Sequence, residues 1–199
     1  MQNDLKNSPK VLGLDISTKT IGWSLFDINT RKLLELTHFS PVVKPQPADK
    51  IEELLGKVDA FEKILEGYKN FGITKVIIEE PLLNSNNIWT VGTLLRYNSM
   101  LTKSIYDILG VVPNFISTYN SRKFAWPELV DVNDKGKKVL FGSFPKTADK
   151  KEIIWKKVSQ AEPQIVWLYT RNNTLKKECY DQSDAYTCAV GYMKQEGLW

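Results

Sequence analysis

Four acidic positions stand out in this chain by where they fall rather than by their number. Asp15 follows an apolar run, VLGL, and Glu79 with Glu80 ends another, ITKVII. Asp181 and Asp184 lie three residues apart in DQSDAYTCAVGY, and Cys188 and Tyr192 continue their stripe at helical spacing. An ionised carboxylate is costly inside a core, so an acid closing a buried strand belongs at the carboxyl edge of a sheet or beside a partner. Ligands of open α/β sheets bind at that same edge. Asp181 and Asp184 share one helix face, read here as the first turn, where the helix dipole favours the ionised form.

Four carboxylates brought to one edge repel one another unless cations share the site. Hard oxygen ligands with almost no histidine suit Mg2+, with Mn2+ as a substitute, and do not suit Zn2+. Two such ions about 3.5–4 Å apart clamp a phosphodiester for in-line attack by water, and no imidazole base is required. Taken one at a time, each acid reads more readily as a surface carboxylate or helix cap, Asp181 in particular as a cap. Only the combination points to chemistry.

The elements that must position these acids follow from apolar periodicity. Residues 10–17, 20–28 and 31–39 read as three strands, the last two joined tightly through Asn29 and Thr30, and predict an antiparallel meander. Ile51, Leu54, Leu55, Val58, Phe61, Ile64 and Leu65 recur at three and four, which predicts a helix over 49–68. A strand over 73–79 and a helix over 89–109, closed by Gly110, come next. A short strand over 111–117 carries Pro113, which places it at an edge or starts it at Asn114. Pro127, Gly136, Gly142 and Pro145 leave 127–147 as a loop or a small inserted hairpin. Helices over 147–160 and 180–195 follow, with IVWLY at 165–169 unassigned. The expectation is an α/β domain over 1–199, a mixed sheet flanked by helices.

Composition narrows the function classes. The 199 residues are 42% hydrophobic and 25% charged, which supports one sizeable core and excludes wholesale disorder. No apolar run approaches the roughly 18 residues that span a bilayer. The polar start, MQNDLKNSPK, lacks the apolar stretch of a secretory signal, so an intracellular, cytoplasmic location is expected. Cys179 and Cys188 cannot form a disulfide framework, and read as small buried hydrophobes. A net charge of +4 conceals a local excess: Lys135 to Lys157 holds eight lysines against Asp149 and Glu152. Such a stretch is a candidate polyanion contact, although on charge alone a solvated face is the commoner meaning.

These residues carry a resemblance. LGLDISTKTIGWSLFD at 12–27 resembles the opening strand and hairpin of RuvC-like Holliday-junction resolvases, within the RNase H-like superfamily. VIIEEPLL at 76–83 resembles that family's second acidic strand, and DQSDAYTCAVGY at 181–192 its carboxy-terminal helix. Asp15, Glu79, Asp181 and Asp184 match the family's four metal ligands in order, with Glu79 preferred to Glu80 because it directly follows Val76-Ile77-Ile78. The resemblance implies an RNase H-like mixed sheet, an antiparallel meander followed by parallel strands. It further implies a homodimeric crossover junction endodeoxyribonuclease that uses two Mg2+ ions to cut branched DNA such as a four-way junction. Ser17 and Lys19 after Asp15, Arg122 and Lys123, and Lys146, Lys150 and Lys151 are the phosphate contacts it implies. Trp89 is a candidate wedge or dimer contact, whereas Tyr97 reads as core.

Three rivals remain. GLDISTKTIGWSL also resembles the first phosphate-binding turn of actin-like and sugar-kinase ATP-binding proteins, but no second glycine-rich loop follows. A non-catalytic protein on a decayed nuclease fold would normally lack at least one of the four acids. A nuclease of the same fold acting on flaps, forks or RNA–DNA hybrids is the third, since fold does not fix substrate.

Overall fold

The β-branched and leucine-rich runs pair as a sheet because both faces of each can be buried. A computed structural model describes residues 8–81 and 87–199. The leader as far as Asn7, and Leu82-Leu83 of the second acidic motif, lie outside them. Strands β1 (Lys10–Ile16), β2 (Ile21–Asp27) and β3 (Leu33–Phe39) form the expected antiparallel meander. Strand β4 (Ile73–Glu79) runs parallel to β1, and β5 (Asn114–Ile116) parallel to β4, giving the order β3-β2-β1-β4-β5. β5 starts just beyond Pro113, which has no N–H to give the ladder.

Among the described residues five α-helices surround the sheet: α1 (Lys50–Glu66), α2 (Ile88–Leu109), α3 (Thr118–Ala125), α4 (Lys150–Ala161) and α5 (Glu178–Gln195). Asp49 and Asp149 fix the starts of α1 and α4 by accepting two backbone N–H bonds each. Gly110, at φ 69°, ends α2 in the left-handed conformation. Helix α3 was not expected, because TYNSRKFA has no apolar period; it is nucleated by Ser117, whose hydroxyl accepts from the Asn120 N–H. Between α3 and α4, β6 (Val130–Val132) and β7 (Lys138–Leu140) form a separate antiparallel hairpin. The IVWLY stretch forms no strand, only an isolated Tyr169–Leu175 bridge. Helix α5 starts at Glu178, two residues earlier than expected, so Asp181 stays in the first turn and Asp184 falls in the second.

Alternation along the strands sorts the core into two layers. Leu12, Leu14, Trp23, Leu25, Val76 and Ile78 pack with α1 and α2 on one face. Val11, Phe26 and Ile77 face the other way, towards α3, α4 and α5. Among these helices α5 is the deepest: every residue from Gln182 to Met193 is buried. It lies directly on β1 and β2 because two strand positions under it have no side chain. A Cβ on Gly13 would sit 2.5 Å from the Ala185 carbonyl oxygen, and one on Gly22 would sit 2.0 Å from that of Asp181. The Ser24 hydroxyl donates to the Ala185 carbonyl at 2.9 Å, completing the seat. Trp89 at the start of α2 is exposed, whereas Tyr97 is fully buried.

Gly22→Ala places a methyl group against helix backbone that cannot rotate away. The expected cost is about 3 kcal/mol, read as a drop in Tm of about 6–12 °C. Thr30→Ala, in an exposed turn, should change Tm by far less, and equal losses would contradict this account of the seat.

Candidate active site

The register of β1 against β4 decides which acids can meet. Gly13 pairs with Ile77 and Leu14 with Ile78 in the parallel ladder, so Asp15 and Glu79 occupy the next rung. Both follow the parity of residues facing α5, two positions beyond Gly13 and Ile77. Glu80 takes the opposite parity, is exposed, and gives its backbone N–H to the Ile116 carbonyl at 2.9 Å. From above, α5 brings Asp181 and the buried Asp184 to the same place. Asp15, Glu79 and Asp184 line a cleft of about 340 Å3 together with Ser17, Arg122 and Lys151, and the exposed Glu80 stands at its margin.

Two cations are built into this acidic cluster. The Arg122 guanidinium, from α3, donates to Asp184 Oδ1 at 3.0 Å. Lys151 Nζ, from the first turn of α4, stands 3.4 Å from Asp181 Oδ1 and 3.5 Å from Asp184 Oδ2. Burial pushes the Asp15 carboxyl well above the ordinary range, and the charges of Glu79, Asp184 and Asp181 push it further. Burial and then Asp184 raise Glu79 to about 7, against the opposing effects of a 2.6 Å hydrogen bond from Thr118 and the nearby Arg122 and Lys151. Asp181 is also raised, by burial first, with Lys151 pulling the other way. For Lys151 burial alone would lower the ammonium's pKa, but Asp184, Asp15 and Asp181 together outweigh it and the net shift is upward. The repulsion among these acids is thus opposed by two counter-cations, Arg122 and Lys151.

Among the described residues no three His, Cys, Asp or Glu side chains are grouped closely enough to hold a metal ion as they stand. The donor set nevertheless fits a hard divalent cation in kind: Asp15, Glu79 and Asp184 line the cleft and Asp181 reaches it through Lys151, with no imidazole or thiolate in the lining. One donor is also vacant, since Glu79 Oε2 is buried without a hydrogen-bond partner. A carboxylate oxygen left in that state is costly and is the atom a cation would satisfy.

The remaining candidate residues divide by location. The Ser17 hydroxyl is engaged in its own turn, accepting from the Thr20 N–H at 3.0 Å and donating to the Thr20 carbonyl at 2.8 Å. Lys19 is exposed at the tip of that turn. Lys123 turns away from Arg122 and lies over the Phe124 ring, 5.0 Å from its centroid. Lys146 and Lys150 are exposed beside the β6–β7 hairpin, not in the cleft. Two contributors escaped sequence reasoning. Thr118 holds Glu79, and nothing marks it in a stretch where no helix was expected. Lys57 is buried, donates to the Thr18 carbonyl at 2.8 Å and pairs with Glu53 at 2.6 Å, so α1 ties down the loop that follows Asp15. Its signal was legible: a lysine flanked by Leu54, Val58 and Phe61 on the apolar face of a helix.

A mixed sheet ordered β3-β2-β1-β4-β5, with acids at the ends of β1 and β4 and on the last helix, defines an RNase H-like α/β fold. The solved structures similar to this chain sharpen that to a RuvC-like fold. Thermus thermophilus RuvC in complex with Holliday junction substrate superposes with a TM-score of 0.62 at 11% identity, covering 95% of each chain. Thermus thermophilus RuvC in another structure gives 0.56 at 14% identity, covering 95% of this chain and 97% of that one. No protein-family model matches the sequence, and no curated protein matches it.

The protonation balance can be tested by stability. Glu79 is raised from 4.5 to about 7 on folding, so between those values the folded protein binds more protons than the unfolded chain. Its contribution is then present at low pH and lost as pH rises through about 7. Glu79→Gln removes that titration, so in EDTA the variant should melt higher than wild type at pH 8. The gap should narrow towards pH 5, and a gap that instead widens on acidification would refute the assignment.

Proposed function

We propose that this protein is a divalent-metal-dependent endodeoxyribonuclease that resolves four-way junctions and related branched DNA by phosphodiester hydrolysis. The observation that supports it most is the meeting of Asp15, Glu79 and Asp184 at one cleft, with Asp181 joined to it through Lys151, on a fold shared with a protein whose structure contains a Holliday junction. Asp15, Glu79, Asp181 and Asp184 are the residues that would hold Mg2+, two ions per site, with Mn2+ able to replace it. When bound, such ions supply Lewis-acid stabilisation of the charge that develops on the attacking and leaving oxygens.

The chain's own residues do the rest. Asp15 and Glu79 sit on a rigid parallel rung, so their separation is fixed by the sheet and not by loop motion. Thr118 orients Glu79 through its Oε1, leaving Oε2 free for a ligand. Arg122 fixes Asp184 from behind. Lys151 is half exposed, with 50% of its side chain accessible, so it can leave the carboxylates for an incoming phosphate. Ser17 at the cleft and Lys19 at the tip of the same turn, with Lys123, Lys146 and Lys150 outside the cleft along α3 and the hairpin, would supply further contacts to the DNA backbone. A four-way junction presents two symmetric scissile bonds, and a homodimer would offer one site to each. A DNA substrate fits the expected intracellular location. No helix among the described residues is long and apolar enough to cross a membrane.

The purified protein, incubated with a four-way junction, a fork, a flap and a linear duplex, should nick the junction symmetrically with Mg2+ or Mn2+ and cut nothing in EDTA. Ca2+, which tolerates looser geometry, should support binding without cleavage. Preferred cleavage of the fork, flap or an RNA–DNA hybrid would move the substrate within the same fold. Equal cleavage in EDTA would remove the metal site.

The two neighbouring glutamates give a sharper check. Glu79→Gln should lower cleavage at least about 10^3-fold, the scale of losing one charge-stabilising group, while retaining junction binding. Glu80→Gln should cut at close to the wild-type rate, and the reverse pattern would show that the strand register is wrong.

A further inference from the structure

The β6–β7 hairpin is short, with an exposed turn, and its base is anchored in the core by Leu129, Leu140 and Phe141. Phe141, at the end of β7, is buried and held at φ 62° by its N–H bond to the Leu129 carbonyl at 2.7 Å. The Arg122 guanidinium that binds Asp184 lies 6.0 Å from the centre of this ring, and Lys150 Nζ lies 5.9 Å from it. Lys150 and Lys151 are consecutive in α4. One faces the hairpin base and the other faces Asp181 and Asp184. The hairpin and the acidic cleft thus flank the same helix terminus.

Around this hairpin the lysines are free. Among the described residues Lys123, Lys135, Lys137, Lys138, Lys146 and Lys150 have no carboxylate within ion-pair distance, whereas Arg122, Lys151, Lys156 and Lys157 are all paired. The acids of the same segment are already used. Glu128 pairs with Lys157, Glu152 with Lys156, Asp131 accepts from the Ser143 N–H, and Asp149 caps α4, which leaves only Asp134. The lysines also line both sides of the hairpin. Lys123 and Lys138 share one groove with α3, and Lys146 and Lys150 share another against Phe141. Asn133 Oδ1 accepts from the N–H groups of Lys135 and Lys137, fixing the turn that carries them.

We infer that this hairpin is a second nucleic-acid contact, a basic finger that grips the sugar-phosphate backbone of a duplex arm leaving the cleft. The inference rests on the proposed cleavage of branched DNA and adds to it a part of the substrate that is held but not cut. Three strand residues and a turn carry the tip about 10–15 Å from Phe141, so it lies within one helical turn of duplex, about 34 Å, from the carboxylates. Unpaired, exposed lysines of this kind track phosphates and carry no base specificity. The same surface would therefore serve any arm sequence.

Binding of a four-way junction, measured in Ca2+ over a range of salt, tests this with the triple variant Lys135→Gln, Lys137→Gln, Lys138→Gln. Each lost phosphate contact flattens the slope of log K against log salt by about 0.9, so the variant's slope should be shallower by about 2.7. Between 50 and 200 mM salt the wild type should then lose about 40-fold more affinity than the variant does. A parallel slope for variant and wild type overturns the finger while leaving the functional reading intact. A wild type with no salt-dependent junction binding overturns both. Because Cys179 and Cys188 are buried, a photo-crosslinker attached to Lys137→Cys reports the position directly. Cross-links should fall in duplex within about one turn of the cut phosphate, and their absence from bound complexes would refute the contact.

Discussion

The structure depends on how closely one helix can approach one sheet. Helix α5 touches β1 and β2 through bare backbone, because Gly13 and Gly22 present no Cβ beneath Ala185 and Asp181. Ordinary side chains at those positions would lift the helix away, carrying Asp181 and Asp184 from the rung that holds Asp15 and Glu79. The seat also explains why α5 is buried around most of its circumference. A helix set this deep has neighbours on every side: strands below, α3 and α4 flanking it. Those two flanking helices then deliver Arg122 and Lys151 to the same carboxylates.

The electrostatics follow from that crowding. Four acids around a small, partly buried cleft cannot all be ionised without help, and the fold answers with protons and cations. Asp15 and Glu79 are driven towards their neutral forms, while Asp184 is paired on one side by Arg122 and on the other by Lys151. The absence of a preformed metal cage among the described residues is consistent with this. Arg122 and Lys151 take up the negative charge that an ion would otherwise share. The two cations differ in kind: Arg122 is nearly buried and fixed, whereas half of the Lys151 side chain is open to solvent.

Much of this was legible in the sequence, for identifiable reasons. The strands were evident because VLGLD, IGWSLF and ITKVII are continuous apolar runs, and α1 and α2 because their leucines and isoleucines keep a period near 3.6. Along β4, Glu79 and Glu80 take opposite parity, yet both reach the margin of the cleft, so alternation was legible in the sequence and the ligand was not. Helix α3 was illegible because tertiary packing and a serine cap, not an apolar stripe, hold it. That omission concealed Thr118, and it left Arg122 looking like a free basic residue when it is bonded to Asp184. The start of α5 was misjudged by two residues because a helix buried all round has a weak amphipathic signal at its ends. The basic segment was visible as composition, but which of its lysines are paired was not, because Glu128 and Asp181 reach them from distant parts of the chain.

The hydrogen bond from Ser24 to the Ala185 carbonyl joins residues 161 apart in sequence. Contacts of that separation form late, because a long loop must close before they return any stability. The meander, β4 and their helices can collapse first on local pairings, with Asp15 and Glu79 already side by side but unaccompanied. Under the proposed function, the capacity to cut is conferred by a single docking event near the end of folding. A chain clipped before α5 would lose Asp181 and Asp184, half of its four acids, and with them the helix that covers β1 and β2.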